Sequence, residues 1–372
     1  LRVADHRADA NRYAADTGDK PFAAGQFSQS LPNAFTNVNS TNSNHQCGAA
    51  GWYGEETLDV EAVHAMAPPG ANIRYYAGKS CMDPDLLDTF TRINDENVAD
   101  VVTNSWGRDG RRREAVAAAR LPDGVPAGAA QGISYVFSSG DDGDEATRLG
   151  TPQTDYPASD PYVTAVGGTS TAITEAGLTG ETGWQTSKYV LKDGAWTQST
   201  SFLYGGGAAA TRRTSRSRST RRTRGIVSPP NGGRAVPDVS MDGDPTTGML
   251  VGQTQTFTGS AAYDTYRIGG TSLASPLFAG ITALKIQANG GSGLGLLNPT
   301  IYGTHGQGFH DVTGAGIDEG AIRVDFANGL DATGGYVYSV RTFNGATTSQ
   351  TVGTGWDTET GWGGSARAGW VQ

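Results

Sequence analysis

The sequence predicts an α/β fold built on a doubly wound, mostly parallel sheet with helices on both faces. Two observations support this prediction. Short apolar segments bounded by turn residues alternate along the chain with segments of helical periodicity, which is the order of β-α-β units. One of these segments, Ile133–Phe137, is a short apolar run bounded by glycine, and such runs are typical of strands buried in a parallel sheet.

The predicted elements follow in a regular order. Helices are predicted over residues 1–13, over 54–66 and from residue 83 onward, and strands at residues 72–77, 98–103, 133–137 and 162–166. Pro68 and the residues after it give the second helix a clear stop, and Pro84 suits the first turn of the third. Residues 171–260 have the pattern of short hairpins and loops, and a long helix follows Ser272.

Composition limits the class of protein. The 372 residues are rich in Gly, Ser and Thr and poor in Lys, with a net charge of −9, which is typical of secreted microbial proteins. This length suits one large α/β domain or two smaller ones. Since no clean boundary or internal repeat is visible, we predict one domain over residues 1–372. No apolar run approaches the length of a membrane span, so no membrane partner is expected. The chain starts at Leu1 without a signal peptide, which indicates processing or truncation.

Two arginine-rich segments, residues 107–128 and 208–224, differ from the rest of the chain. They hold twelve arginines and three acidic residues, so the remainder has 16 basic and 34 acidic residues and a net charge of −18. Such an acidic remainder suits a protein that stays folded at low pH. The segments could be a basic patch for nucleic acid, a disordered loop or a sequencing error. We favour the error, because both segments begin and end abruptly, and we expect no nucleic-acid partner.

A candidate nucleophile lies at the start of the long helix. Residues 270–276 read Gly-Thr-Ser-Leu-Ala-Ser-Pro, which places Ser272 on a turn that exposes its hydroxyl beside a helix N-terminus. The alternative is that Gly-Thr-Ser is only a helix cap. If the chain also supplies a base and an oxyanion donor, the interpretation of Ser272 as a nucleophile is favoured over a helix cap.

Two acidic residues are the candidate base. None of the five histidines lies in a His-Gly turn that opens a helix. Glu55 and Asp59 are four residues apart in the predicted helix, so both carboxylates lie on one face. In a cleft they would share a proton, with the pKa of one raised. The alternative is a solvated acidic face near a helix start. His64, in the middle of the same helix, is expected to be a packed or surface residue.

Asp141 is the candidate oxyanion donor. It follows the strand at residues 133–137 in the sequence Ser-Ser-Gly-Asp, and α/β sheets place their sites at the C-terminal ends of strands. An aspartate donates a hydrogen bond only when it is protonated, so this role requires low pH or a raised pKa. Alone, the segment could also be a simple turn or a calcium-binding loop.

Together these three motifs resemble the sedolisins, the serine-carboxyl peptidases that share the subtilisin fold and replace its histidine with glutamate. The family's Ser-Gly-Thr-Ser-x-x-x-Pro box matches residues 269–276, with Gly269 in place of the first serine. Residues 104–107, 166–169 and 236–240 also resemble recurrent segments of the family. The chain is therefore expected to adopt a subtilisin-like fold.

The resemblance implies a mechanism and a compartment. Ser272 would attack the peptide carbonyl, Glu55 would take its proton, Asp59 would orient Glu55, and protonated Asp141 would donate to the oxyanion. The strand that pairs with substrate would be continued by Ser105, Trp106 and Gly107. The enzyme would be secreted and active in acid, as an endopeptidase or a tripeptidyl peptidase acting on protein or peptide substrates.

The resemblance also implies calcium in a C-terminal region at about residues 305–363. The ligands would be Asp311 and Asp357 with the carbonyls of Val312, Gly353 and Gly355, which are the oxygen donors that Ca²⁺ prefers. The alternative is a glycine-rich hairpin with incidental acids. Cys47 and Cys81 flank the Glu55–Asp59 helix, and in an extracellular protein they would form one disulfide; two free thiols in a cytosolic protein are the alternative.

The N-terminus departs from the family. Sedolisin catalytic domains open with a strand, whereas residues 1–13 already have a helical pattern. We therefore expect the first strand to be missing, and either a bound upstream fragment or an unfilled slot in the sheet. A removed pro-domain is also implied.

Two other functions compete with the serine-carboxyl peptidase. A subtilisin-like peptidase that uses His64 would work at neutral pH and survive Glu55→Gln. A binding or structural protein, such as a decayed peptidase or a secreted adhesin, would have no turnover.

Overall fold

The computed structural model describes residues 6–35, 47, 49–107, 124–205, 234–256, 260–313, 320–328, 332–343 and 350–372. Nearly all of both arginine-rich segments lies outside these residues, so the predicted sequencing error stays a prediction. No helix in the described ranges is long and apolar enough to cross a membrane.

The described helices and strands are numbered here in chain order. The helices are α1 His6–Thr17, α2 Ala49–Met66, α3 Asp83–Glu96, α4 Gly124–Ala130, α5 Ala146–Leu149, α6 Thr271–Ala288, α7 Asn298–Gly303 and α8 Ala368–Val371. The strands are β1 Phe27–Ser30, β2 Ile73–Tyr76, β3 Val101–Asn104, β4 Ser134–Ser138, β5 Thr164–Thr174, β6 Gly177–Gly183, β7 Gln185–Lys192, β8 Ala195–Gly205, β9 Val239–Asp242, β10 Met249–Thr256, β11 Ala261–Ile268, β12 Gly320–Phe326 and β13 Tyr336–Thr342.

The central sheet is parallel, as the sequence predicts. Strand β4 pairs in parallel with β3 and β5, and β9 pairs in parallel with the other edge of β5. Strand β6 returns antiparallel along the second half of β5. The carboxyl ends of β3 and β4 lie side by side, since Asn104 is in register with Phe137. This arrangement brings Ser105 and the Asp141 turn to the same edge of the sheet.

Helices cover both faces of the central sheet. On one face α3 and α4 pack through Phe90 and Val125 against Tyr135 and Phe137 of β4. On the other face α6 packs against Val136 and its neighbours in β5 and β9. Every residue of β4 is buried, which explains the continuous apolar pattern of this strand. The predicted α/β class with helices on both faces is confirmed.

Some predicted element boundaries are wrong. Helix α2 begins at Ala49, five residues before the predicted start, and α1 extends to Thr17. Strand β5 continues to Thr174 although the prediction ends it at Val166, before the pair Gly167-Gly168. The glycine at 167 does not break the strand. A Cβ there would lie 2.4 Å from Ser240 Oγ of β9, so glycine permits the close approach of the next strand.

Strands β1 and β2 form a separate parallel pair beside the central sheet. Helix α3 connects β2 to β3, but no described strand lies between them. Among the described residues, the sheet is therefore interrupted between β2 and β3.

Two further structures flank the sheets. Strands β12, β13, β7 and β8 form an antiparallel sheet, and β10 and β11 form a hairpin that contacts α1 and α2. A disulfide joins Cys47 to Cys81 and so ties the start of α2 to the segment before α3.

Candidate active site

Ser272 is the second residue of α6. The preceding Gly270 has φ +93°, and a Cβ there would lie 2.9 Å from Asp141 Oδ2. Only glycine combines this backbone conformation with such a close approach. Leu273 and Ala274, the next two residues, are fully buried, whereas Ser272 keeps some exposure. The turn and the buried helix behind it hold Ser272 at a partly exposed position.

Pro276 explains an unusual hydrogen bond at the start of α6. Proline has no N–H, so it cannot bond the carbonyl four residues earlier, which is that of Ser272. Instead the Ser272 carbonyl oxygen accepts a 3.1 Å hydrogen bond from Ser105 Oγ, at the end of β3. A second contact, 2.9 Å between Thr103 Oγ1 and Ser275 Oγ, joins the same strand and helix. The proline thus leaves the Ser272 carbonyl oxygen free of a helix hydrogen bond, and Ser105, the residue after β3, donates to it.

Glu55 and Asp59 face Ser272 from helix α2. On the same face of α2, Leu58 and Ala62 pack in a buried cluster with Leu273 of α6, so apolar packing holds this face, with both carboxylates, against the start of α6. Burial raises the pKa of Glu55, while a hydrogen bond from the Ser272 side chain acts against it. Glu55 Oε1 is buried with no hydrogen-bond partner among the described residues.

Asp59 lies deeper than Glu55 and contacts Ser105. Burial raises the pKa of Asp59 well above its ordinary value, and the nearby Glu55 charge raises it further. Asp59 Oδ1 and Ser105 Oγ are 2.6 Å apart. The Ser105 hydroxyl has only one proton to donate. If Asp59 carries a proton and donates it to Ser105, that hydroxyl is free to donate to the Ser272 carbonyl, and both bonds are satisfied.

Asp141 contacts the N-terminus of α6. Its Oδ1 accepts hydrogen bonds from the Thr271 backbone N–H at 2.7 Å and from Thr271 Oγ1 at 2.8 Å. Thr271 Oγ1 in turn accepts from the Gly140 N–H at 3.1 Å. Burial raises the pKa of Asp141 despite these bonds. With Oδ1 saturated, Oδ2 is the oxygen available to carry a proton.

His64 lies away from this cluster. Its Nε2 is 2.8 Å from the carbonyl oxygen of Lys20, and its ring packs on Phe22 with centroids 4.1 Å apart. It follows Glu55 by nine residues, which is about 13 Å along a helix. Glu55 interacts with the Ser272 side chain, whereas His64 lies about two and a half turns further along the helix against Lys20 and Phe22, so the structure does not support the His64 alternative.

The three residues predicted to bind substrate differ in their surroundings. Ser105 is buried and contacts Asp59 and the Ser272 backbone. Trp106 packs against Phe90 and Phe137 at the margin of the core. Gly107 is exposed. The sequence motif does not predict that Ser105 contacts both the Asp59 carboxylate and the Ser272 carbonyl.

The predicted calcium ligands lie on two segments, which contact each other through Asp311 and Gly355. The Gly355 N–H is 3.2 Å and 3.1 Å from the two carboxylate oxygens of Asp311. Asp357 Oδ2 accepts from the Gly353 N–H at 3.0 Å, and its Oδ1 accepts from the Glu359 and Thr360 N–H groups. In the described part of the chain, no group of three or more His, Cys, Asp or Glu side chains is placed so that it could hold a metal ion. An ion here would depend on two carboxylates and backbone carbonyls.

Comparison with known proteins identifies the family. The profile of the subtilase family, peptidase S8, matches residues 30–303. The chain belongs to the subtilase family. The solved structure of Pseudomonas sedolisin, a serine-carboxyl proteinase complexed with two molecules of pseudo-iodotyrostatin, is 26% identical with a TM-score of 0.62. The match covers 98% of this chain and 87% of that one. The predicted subtilisin-like fold and the resemblance to sedolisins are confirmed.

The curated relatives that this chain resembles include sedolisin, kumamolisin and a tripeptidyl-peptidase. Kumamolisin from Bacillus sp. (strain MN-32) is 32% identical over 263 residues, covering 70% of this subtilase and 44% of kumamolisin. Sedolisin from Pseudomonas sp. (strain 101) is 30% identical over 324 residues, covering 83% of this chain and 47% of that protein. Tripeptidyl-peptidase sed4 from Aspergillus fumigatus is 28% identical over 349 residues. The chain thus spans about half the length of the curated relatives it matches.

Proposed function

We propose that this subtilase is an acid-acting serine-carboxyl peptidase that cleaves protein or peptide substrates through an acyl-enzyme on Ser272. One observation carries the proposal. Contacts of three acids near the start of α6 support it: Glu55 interacts with the Ser272 side chain, Asp59 contacts Ser105, whose hydroxyl lies 3.1 Å from the Ser272 carbonyl oxygen, and Asp141 accepts from the Thr271 N–H. Endopeptidase and tripeptidyl-peptidase action are both compatible with this arrangement.

The first chemical step uses the Glu55–Asp59 pair. Two buried carboxyls this close share one proton between them at the working pH. We place this proton on Asp59, which then donates a hydrogen bond to Ser105 Oγ. Ionised Glu55 then takes the hydroxyl proton of Ser272 while Ser272 Oγ forms a bond to the substrate carbonyl carbon. The carbonyl electron pair moves onto oxygen, and the tetrahedral oxyanion forms.

The oxyanion is stabilised by Asp141. Its protonated Oδ2 donates a hydrogen bond to the oxyanion, and the Ser272 backbone N–H at the start of α6 is a second donor. When the intermediate collapses, the C–N bond breaks and the leaving amine takes the proton from Glu55. Water then attacks the acyl group by the same sequence of steps and frees Ser272.

Asp141→Asn tests the oxyanion role. Activity of the unmodified protein is expected to fall as pH rises through the raised pKa of Asp141, because the donor proton is lost. An asparagine amide donates at every pH, so the descending limb of the pH–rate profile should move upward by at least about one pH unit, even if the maximal rate is lower.

A neighbouring carboxylate is the matched control for this experiment. Asp142 is exposed, and its charge helps to raise the pKa of Asp141. Asp142→Asn should therefore leave activity intact and move the same limb slightly downward. An unchanged profile in Asp141→Asn, measured by hydrolysis of a quenched fluorescent peptide from pH 3 to 8, would contradict the assigned role.

We also propose one Ca²⁺ at the Asp311 and Gly353–Asp357 segments. The residues fit the ion chemically, since the carboxylates of Asp311 and Asp357 and the carbonyls of Val312, Gly353 and Gly355 are hard oxygen donors on a glycine-containing loop. Bound Ca²⁺ would supply structural crosslinking. The protein residues hold the C-terminal segment against the core, where Trp356 Nε1 donates to the Pro237 carbonyl at 3.2 Å.

Chelation tests the calcium proposal. At a Ca²⁺ concentration about 100 times the dissociation constant, binding adds about 2.7 kcal/mol to stability. EGTA should then lower Tm by about 3–4 °C, and added Ca²⁺ should restore it. Asp311→Asn should remove this dependence, whereas Asp264→Asn on the exposed hairpin should keep it. A Tm that ignores both EGTA and Ca²⁺ would argue for a plain glycine-rich hairpin.

We further propose that the protein acts outside the cell. The Cys47–Cys81 disulfide supports an oxidising compartment, and the acidic balance of the chain outside its arginine-rich segments suits low pH. A removed pro-domain stays a prediction. Immunodetection in culture medium against cell lysate of the producing organism would test secretion.

A further inference from the structure

One face of the antiparallel sheet β12-β13-β7-β8 carries rows of apolar side chains. Residues directly opposite each other in neighbouring strands lie on the same face of a sheet. In the middle row Val324 is opposite Tyr338, and Leu191 is opposite Trp196. The register of β13 with β7, continued by two residues, places Tyr338 beside Leu191. This row of four apolar side chains therefore crosses all four strands.

Two shorter rows flank the middle row on the same face. Phe326 is opposite Tyr336, and their ring centroids are 5.6 Å apart. On the other side of the middle row Ile322 is opposite Val340, which in turn is opposite Tyr189. These residues are two positions from the middle row along each strand, so their side chains point the same way. None of the three rows contains a charged side chain.

Most of these apolar side chains are exposed to solvent. Seven of them, which together are called the apolar face here, are between 42% and 76% exposed: Leu191, Trp196, Ile322, Val324, Phe326, Tyr336 and Tyr338. An antiparallel sheet with one solvated face normally turns apolar residues to the core and polar residues to water. The polarity of this sheet is the reverse.

The charged residues of the sheet lie on its other face. Asp325 Oδ2 is 2.9 Å from Lys188 Nζ and 3.0 Å from Arg341 Nη2, and Arg323 donates to the carbonyl oxygen of Thr246. Arg323 and Asp325 alternate with the exposed apolar residues of β12. The sheet thus contacts the rest of the protein through polar side chains, and only a further surface could bury its apolar face.

The apolar face has the size of one side of a stable protein–protein interface. Its seven residues are a little more than half exposed on average, and at roughly 200 Å² each they present on the order of 750 Å². The largest apolar patch of a typical monomer is about 300–600 Å². A specific interface takes about 800 Å² from each partner.

We infer that the apolar face is the interface of a homodimer, in which the same face of a second copy of this chain packs on it. Two such faces together bury about 1,500 Å², which lies within the roughly 1,200–2,000 Å² of stable specific interfaces. The composition fits as well, because the cores of interfaces are enriched in aromatic residues and depleted of charged ones.

Shape and charge favour a second copy over other partners. An open sheet face packs on another sheet face, whereas a small ligand requires a concave pocket. The cytoplasmic leaflet of a membrane is anionic and attracts basic segments, but this chain has a net charge of −9. Two acidic copies approach with least repulsion through an uncharged surface, which the three rows provide. A two-fold axis across the face makes every residue of the interface present twice.

The test is sedimentation velocity on the full chain carrying Ser272→Ala, so that self-digestion is excluded and the result does not depend on the proposed peptidase activity. A reversible monomer–dimer equilibrium is expected between about 0.01 and 100 µM, because interfaces of this size have Kd values up to the micromolar range. Hydroxyl-radical footprinting should show slower oxidation of Trp196, Tyr336 and Tyr338 at the dimer concentration than at the monomer concentration.

Two matched valines test the position of the interface. Val324→Lys should raise the Kd of the dimer at least about a hundredfold, because each copy then buries a lysine in the contact. Val98→Lys is the control, since Val98 is 63% exposed and Val324 58%, and Val98 lies between α3 and β3. It should leave Kd unchanged. Leu191→Lys, on the other half of the middle row, should act like Val324→Lys and serves if that variant does not fold.

Four results would overturn the inference. The first is a chain that stays monomeric up to about 100 µM, above the Kd of interfaces of this size. The second is a dimer that persists in the folded lysine variants of the middle row. The third is a dimer without protection of the two tyrosines and Trp196. The fourth is a monomer whose apolar face binds phosphatidylcholine vesicles, which would assign the face to a lipid surface.

Discussion

Ser272→Ala is expected to lower peptide hydrolysis by at least about 10⁴-fold while the fold and Tm stay close to those of the unmodified protein. The hydroxyl is the only atom lost, and no acyl-enzyme can form without it. The backbone N–H of residue 272 and the Asp141 carboxyl remain in place, so a small residual rate from oxyanion binding should survive. Initial rates at acid pH on a quenched fluorescent peptide measure this effect.

Ser275→Ala is the matched control for this loss. Ser275 lies one turn further along α6, is fully buried and contacts Thr103 Oγ1. Its removal should lower stability by about 1 kcal/mol and leave turnover nearly unchanged. If both serine variants lost activity equally, the effect would come from disturbed packing of α6 on β3, and Ser272 would lose its assignment as nucleophile.

The protein is expected to be most stable in acid and to lose stability as pH rises toward 8. Burial raises the pKa of Glu61 to about 8 and that of Asp242 to about 7. In the unfolded chain these groups titrate near pH 4. A raised folded-state pKa stabilises the fold fully below the unfolded pKa, and this stability is lost as pH rises through the folded value. Thermal unfolding from pH 4 to 8 should show a falling Tm.

Glu61 is a clear contributor outside the candidate active site. Its side chain is 1% exposed, its Oε2 accepts from the Gly252 N–H at 2.9 Å, and its Oε1 has no hydrogen-bond partner in the described residues. Each pH unit between the two pKa values changes stability by up to about 1.4 kcal/mol, so we expect a loss of at least about 2 kcal/mol from this group. Asp325, whose ion pairs lower its pKa to about 2, opposes the trend only below pH 4.

Glu61→Gln tests this explanation of pH dependence. The neutral amide should leave Tm nearly unchanged at pH 4, raise it at pH 8 and flatten the profile between them. Glu175→Gln, at an exposed position, should reproduce the profile of the unmodified protein. A Tm that is constant or higher at pH 8 in the unmodified protein would show that Glu61 is not held in its neutral form.

The site residues could be proposed from sequence because each lies in a short local motif. Glu55 and Asp59 share a helix face by their spacing, Ser272 follows a Gly-Thr turn, and Asp141 follows a strand. The position of Ser105 could not be derived in this way. It is 46 residues from Asp59 and 167 from Ser272, and only the packing of both α2 and β3 against α6 brings the three together.

Burial within one helix is also invisible in the sequence. Helix α2 carries four acidic residues, Glu55, Glu56, Asp59 and Glu61, and no local pattern tells which of them loses contact with water. Glu61 is buried because the β10–β11 hairpin, nearly 200 residues later, supplies the Gly252 N–H that it binds. The full length of β5 cannot be read from the sequence for a similar reason. Gly167 looks like the end of a strand, but it is a glycine because β9 packs too close for a side chain.

Mapping a trapped acyl group tests the central claim most directly. The protein would be mixed with an activated peptide ester at pH 4, quenched in acid within seconds, and digested for mass spectrometry. We predict one acyl group, on Ser272, that is absent from Ser272→Ala and strongly reduced in Glu55→Gln. An acyl group on another residue, equal labelling of Glu55→Gln, or no acylation from pH 3 to 8 would contradict the Ser-Glu-Asp mechanism.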